Sequence, residues 1–179
     1  MRLILNRHPD TPCEAVRVIE VEVTCLQDGT LDLHYTVIGE IAALALPSPT
    51  EPLRADELWK HTCLEVFIRE EGGGNYLEFN FSPSTQWAAY GFDGYRTNMQ
   101  NADVPTPHIR SITAPDRFDL KTSVKVPGST ARRLGLSAVI EEVSGTISYW
   151  AYAHPPGEPD FHHAASFAYD LPIPDADQS

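Results

Sequence analysis

Apolar and polar residues alternate along much of this chain with a period of two. Leu31, Leu33, Tyr35 and Val37 interleave with Asp32, His34 and Thr36, the pattern of a strand with one buried face. Upstream, Val16 and Val18 change phase into Ile19, Val21, Val23 and Cys25, and one extra residue near Val18 and Ile19 accounts for the flip as a β-bulge does. Gln27-Asp28-Gly29-Thr30 reads as the hairpin turn between these two strands. Prolines 47, 49 and 52 make the next stretch a loop, since proline defeats both helix and sheet, and residues 53–59 read as a short helical turn.

The clearest local prediction follows. Leu64, Val66 and Ile68 share one face of a strand, and Leu77, Phe79 and Phe81 share one face of the next. Gly72-Gly73-Gly74-Asn75 turns the chain between them. Further strands are expected at 86–91, 118–126, 134–140, 147–154 and 167–171. No window carries a helical period over three turns, and turn residues recur every ten or so positions. About ten short strands in that spacing predict an all-β chain, an antiparallel β-sandwich of jelly-roll-like form. Residues 1–172 are expected to form one ligand-binding domain, with 173–179 a polar tail.

Composition narrows the function. Thirteen Lys and Arg stand against 25 Asp and Glu in 179 residues, a formal charge of −12. Such a surface repels phosphate backbones and anionic lipid, so neither nucleic acid nor a membrane is an expected partner. Cys13, Cys25 and Cys63 are odd in number and widely spaced, which argues against a disulfide framework. The apolar stretch Leu3-Ile4-Leu5 is too short for a signal-peptide core, and a reducing cytoplasm is the expected location. The pattern does not give an oligomeric state.

Candidate chemistry sits on the central hairpin. If its apolar positions fill the core, Cys63, Glu65 and Phe67 share the other face with Tyr76, Glu78, Asn80 and Ser82. Trp59, Lys60 and His61 enter just before the first strand; Gln86, Trp87 and Tyr90 follow the second. Aromatic rings beside carboxyls and an amide suit a sugar, which offers a C–H face and a fan of hydroxyls. Arg96, His154 and His162 add polar candidates, Arg96 being equally able to pair with an acidic neighbour.

The segments Asp56-Glu57-Leu58-Trp59-Lys60-His61-Thr62-Cys63-Leu64-Glu65-Val66-Phe67-Ile68 and Tyr76-Leu77-Glu78-Phe79-Asn80-Phe81-Ser82-Pro83-Ser84 resemble the DOMON-like domains related to family 9 carbohydrate-binding modules. Gln86-Trp87-Ala88-Ala89-Tyr90, Tyr95-Arg96 and Trp150-Ala151-Tyr152-Ala153-His154-Pro155 are similar to a small bacterial subgroup of that superfamily. The resemblance implies a β-sandwich that binds sugars or, in other branches, haem. It implies that Trp59 stacks on sugar and that Glu65 binds hydroxyls. A second tryptophan near the C-terminus completes the clamp in those relatives, whereas here Trp150 lies mid-strand and Phe161, His162 and His163 follow instead.

Two other readings stand beside a non-catalytic, cofactor-free site for a small sugar-like ligand. Glu65 and Glu78 on neighbouring strands could form a glycosidase pair. His154, His162 and His163 near Asp160, or Met99 as an axial ligand, could hold a metal or haem.

Overall fold

The computed structural model describes residues 2–126 and 132–171. The tail at 173–179 lies outside the described residues, as does the end of the domain at 172. The described residues form twelve strands: β1 (Arg2–Arg7), β2 (Val16–Cys25), β3 (Thr30–Gly39), β4 (Cys63–Glu70), β5 (Tyr76–Phe81), β6 (Trp87–Phe92), β7 (Gln100–Asn101), β8 (His108–Ala114), β9 (Arg117–Lys125), β10 (Arg132–Glu141), β11 (Ile147–Ala151) and β12 (Tyr169–Leu171). Every pairing between these strands is antiparallel, so the all-β antiparallel class holds.

The strands follow one hydrogen-bonded path, β7-β6-β5-β4-β10-β11-β1-β2-β3-β9-β8, with β12 added beside β10. β1 makes the path continuous. Leu3 and Leu5 sit in its pairing with β2, while Asn6 and Arg7 pair with β11. The sheet therefore curls so that its two halves enclose one core. Ile19, Val21, Leu33 and Val37 from one half meet Leu64, Val66, Phe79, Phe81, Leu136 and Trp150 from the other. Tyr35 crosses between the halves, its phenol donating to the Glu65 carbonyl at 2.7 Å.

Local chemistry explains the elements. The phase change in β2 is a register irregularity between Val16 and Val18. Gly29 takes the left-handed conformation in the β2–β3 turn (φ 77°), and Asp28 there accepts the Thr30 N–H at 3.0 Å. The turn expected at 53–59 is a shorter 3-10 turn at Leu58–Lys60. The strand expected at 147–154 leaves the sheet at Ala151, and the chain then crosses the free face of β10.

Three strands lie outside the pattern-based expectation. β1 presents Ile4 to solvent between Leu3 and Leu5, so its alternation looks like an unbroken apolar run. β8 ends the path and has no buried position, which leaves no hydrophobic signal. β7 is two residues long.

The strands of the β4–β5–β6–β10–β11 half bury residues on both faces. Their second face carries a separate cluster that includes Phe67, Tyr76, Tyr90, Phe92, Val139, Phe161 and Phe167, with Trp59 and Tyr149 against it. The site lies here.

Candidate functional site

A cavity of about 660 Å³ opens on this second face. Its floor comes from strand positions of one parity: Glu65 and Phe67 of β4, Glu78 of β5, Phe92 of β6, Val139 of β10 and Tyr149 of β11. Its walls come from connections. The turn before β4 supplies Trp59, the loop after β6 supplies Arg96 and Met99, and the segment after β11 supplies Glu158, Pro159, Phe161 and His162.

Register brings the two carboxyls together. Glu65 pairs across with Asn80 on one side and Ser137 on the other, while Glu78 is opposite Phe67. Glu65 and Glu78 are thus diagonal neighbours on one face, within reach of each other's side chains. Both are nearly inaccessible, at 1% and 5% exposure. Glu65 Oε2 accepts from the Ser137 hydroxyl at 3.1 Å, but Glu65 Oε1 has no hydrogen-bond partner. Burial, reinforced by the Glu78 charge, pushes the Glu65 carboxyl well above its ordinary range. Burial also raises Glu78 to about 7, against the downward pull of the Asn80 amide and the Arg96 charge.

The wall is tied to the floor by His162. The Arg96 N–H donates to the Tyr76 phenol oxygen at 3.2 Å, and the phenol shares a hydrogen bond with His162 Nδ1 at 2.8 Å. The other ring nitrogen, Nε2, lies 3.7 Å from Glu78 Oε2. Rings of Phe67, Tyr76 and Phe92 meet the imidazole at 5.1 to 5.8 Å. Burial among them and the nearby Arg96 charge lower its pKa to about 4, so His162 is neutral at pH 7.

Asp160 joins the two rim segments. Its carboxylate accepts from Arg96 at 2.9 Å, from the Tyr95 phenol at 2.7 Å and from the His162 backbone N–H at 3.1 Å. Arg96 itself is held in the left-handed region (φ 52°), a conformation costing about 1 kcal/mol or more that the surrounding contacts maintain. Opposite, Trp59 is half-buried and meets Tyr90 edge-on at 5.7 Å, and the Tyr90 phenol donates to Asp56 at 2.8 Å.

Of the ten residues expected to bind ligand, Trp59, Glu65, Glu78, Arg96 and His162 line this cavity, and Phe67, Met99 and Phe161 line it with them. Five do not. Trp87 packs into the main core with Phe79 and Phe81, because its position in β6 has core parity; Tyr90, three residues on, points to the cavity face. Arg54 lies over the Trp87 ring at 4.3 Å. Asn80 is fully buried beneath the cavity and donates to Glu78 Oε1 at 2.7 Å, so it positions the carboxyl without reaching the lumen. Lys60 pairs with Glu57 at 2.8 Å and His61 with Glu141 at 2.7 Å, both at a separate depression. His154 Nε2 donates to the Asn6 carbonyl at 2.8 Å, and the ring stands edge-on to His8.

The residues weighed for a metal or haem do not converge. Met99 lines the cavity and is exposed, while His162 Nδ1 shares a hydrogen bond with Tyr76. His163 Nδ1 accepts the Ala165 N–H at 3.1 Å. Among the described residues no three His, Cys, Asp or Glu side chains converge as a metal centre. The cavity residues that sequence reasoning did not select as a site are Phe92, Val139, Tyr149, Glu158 and Pro159. Strand parity marks the first three as candidates once pairing partners are known.

No protein-family model matches the chain, and no curated protein matches it. Solved structures do. A candidate carbohydrate-binding protein from Bacteroides uniformis superposes with a TM-score of 0.69 at 14% identity, over 93% of this chain and 83% of its own. A family 9 carbohydrate-binding module from Caldicellulosiruptor kristjanssonii in complex with glucose gives 0.50 at 9%, over 83% of this chain and 72% of the module. The same kind of module with cellotriose gives 0.51 at 11%, over 83% and 75%. At these identities the likeness is one of fold. The chain has a fold of the family 9 carbohydrate-binding kind.

Proposed function

We propose that this protein binds a carbohydrate non-covalently in the cavity between Trp59 and His162. The carrying observation is the cavity itself: an indole wall and an aromatic floor surround two buried carboxyls, one with an unpartnered oxygen. A pyranose ring would lie against Trp59 with its hydroxyls directed to Glu65 and Glu78, while His162 Nε2 and the Arg96 rim complete the polar contacts. The family 9 modules of like fold, solved with glucose and with cellotriose, support this reading. A DOMON-like affiliation, a jelly-roll-like sandwich frame and a cytoplasmic setting belong to the same proposal. Their support is the Trp59-to-Ser84 segment and three cysteines that remain unpaired.

Hydrolysis would draw on the same two groups, Glu65 and Glu78, as an acid and base pair, and turnover of chromogenic glycosides lost in Glu78→Gln would separate it from simple binding.

The test uses the protein's own reporters. Trp87 and Trp150 are each 4% exposed in the main core, so ligand-dependent tryptophan emission comes from Trp59. Saturable quenching or enhancement with one mono- or oligosaccharide, and loss of calorimetric binding in Trp59→Ala, are the expected results. No heat and no emission change across gluco-, galacto-, manno- and xylo-configured sugars would overturn the proposal.

A further inference from the structure

The cavity's ionisable side chains are one-sided. Glu65, Glu78 and Glu158 line it against a single Lys or Arg side chain, Arg96, and Asp160 already neutralises that one. The Glu65 oxygen without a hydrogen-bond partner lies on a residue 1% exposed. Around the carboxyls stand the rings of Trp59, Phe67, Phe92, Tyr149 and Phe161. Aromatic faces attract cations and repel anions, and carboxylates beside such faces complete a receptor for an ammonium group. The chain's overall charge of −12 adds a long-range field of the same sign.

We infer that the ligand carries a cationic amine, making the preferred class an amino sugar with a free ammonium group rather than a neutral or N-acylated sugar. This rests on the carbohydrate reading above and names the substituent that Glu65 and Glu78 select. A neutral hydroxyl offers these carboxyls an ordinary hydrogen bond. An ammonium offers charge-assisted ones, roughly twice as strong, and stands as the countercharge in place of the carboxyl protons. The expected preference is about tenfold or more in affinity.

The empty pair holds protons, and an arriving R–NH3+ takes their place. Each carboxyl that ionises on binding releases its proton to the buffer, so proton release accompanies an amine and not a neutral sugar. The titratable groups facing the pair leave this signature clear near pH 6. Cys63, Tyr35, Tyr76 and Tyr90 are raised by burial and stay neutral. His162, at about 4, is neutral as well. The Arg96–Asp160 pair is ionised throughout, with Arg96 raised and Asp160 lowered.

Titration calorimetry near pH 6, in two buffers of different ionisation enthalpy, tests this with glucose, glucosamine and N-acetylglucosamine, with the galacto series, and with cyclohexylamine as a sugar-free ammonium. The expected result is an amino sugar binding at least tenfold tighter than its hexose and N-acetyl counterparts, with proton release, and with the preference collapsing in Glu78→Gln. Hexose or N-acetyl sugar binding as tightly overturns the amine inference and leaves carbohydrate binding standing. A preference surviving both Glu65→Gln and Glu78→Gln overturns the assignment to this pair. Cyclohexylamine binding with no sugar of any kind upholds the cation site and overturns the carbohydrate reading. Silence from every probe overturns both.

Discussion

Folding of this protein is coupled to protons at three buried side chains, and the coupling has a sign and a size. Burial keeps Glu78 protonated up to about pH 7, where an unfolded glutamate titrates near 4.5. Glu65 is raised well above that value too. His162 moves the other way, from 6.5 down to about 4. Between about pH 5 and pH 6.5 the folded chain therefore holds a proton on each carboxyl and none on His162, whereas the unfolded chain holds one on the histidine alone. The folded state binds one proton more, so from these groups stability falls as pH rises, by about 1.4 kcal/mol per pH unit. Glu78→Gln removes one folded-state proton and lowers that slope by the same amount, to about zero. His162→Gln removes the unfolded-state proton and roughly doubles it.

Over its full range the Glu78 contribution is present below pH 4.5 and gone above about pH 7, a loss of about 3 kcal/mol. Asp119 and Asp160, lowered in the folded state, lose their contributions only in more acidic solution. Other groups, His154 included, are common to all three proteins and cancel in the differences. Urea unfolding across the window, followed by circular dichroism and fluorescence, reads the slopes directly. Equal slopes for the wild type and Glu78→Gln would mean that Glu78 is ionised in the folded state, and would refute the reasoning.

Two further substitutions probe how the cavity is framed. A Cβ at Gly135 would stand 3.2 Å from the Ser166 carbonyl and 3.3 Å from Phe67 Cβ, so Gly135→Ala should push the 160–168 segment off β10. The expected cost is about 1–3 kcal/mol in unfolding free energy, with faster amide exchange in that segment; unchanged exchange would count against the contact. Asp160→Asn weakens the acceptor shared by Tyr95, Arg96 and His162, and its partly exposed ion pair makes the expected stability loss modest, about 1 kcal/mol. Ligand affinity should fall severalfold, and a variant binding as tightly as wild type would show that the rim needs no lashing.

Legibility of this chain followed the burial of one face at a time. Period-two runs marked β2, β3, β4, β5 and β9 because each packs one face on the main core, and the same parity put Glu65 and Glu78 together on the other face. In β6, where both faces are buried, parity puts Trp87 and Tyr90 on opposite sides but does not say which of them faces the main core. β8 buries no residue and so left no trace. His61 and Lys60 neighbour Trp59 in sequence, but the 3-10 turn rotates them to a different surface. The rim was illegible for another reason. Asp160 and Arg96 are 64 residues apart, and nothing local in the chain records their pairing.

The energetic oddity of this face is its best argument for a ligand. Phe67, Tyr76, Phe92 and Phe167 show that the sequence can cover the sheet with packed rings. A leucine at positions 65 and 78 would continue that cover, and would spare the folded state the cost of taking two polar groups out of water. Instead the fold keeps two acids where they must hold protons to remain buried, and leaves a cavity of about 660 Å³ above them. The acids sit on paired strands, the most rigid elements available, whereas the walls sit on connections tied by Asp160, Tyr76 and Tyr90. Each feature alone is a defect of packing or of solvation. Together, an open volume, an unpartnered acceptor at its base and a braced aromatic wall are complementary to one occupant that fills the first, bonds the second and stacks on the third.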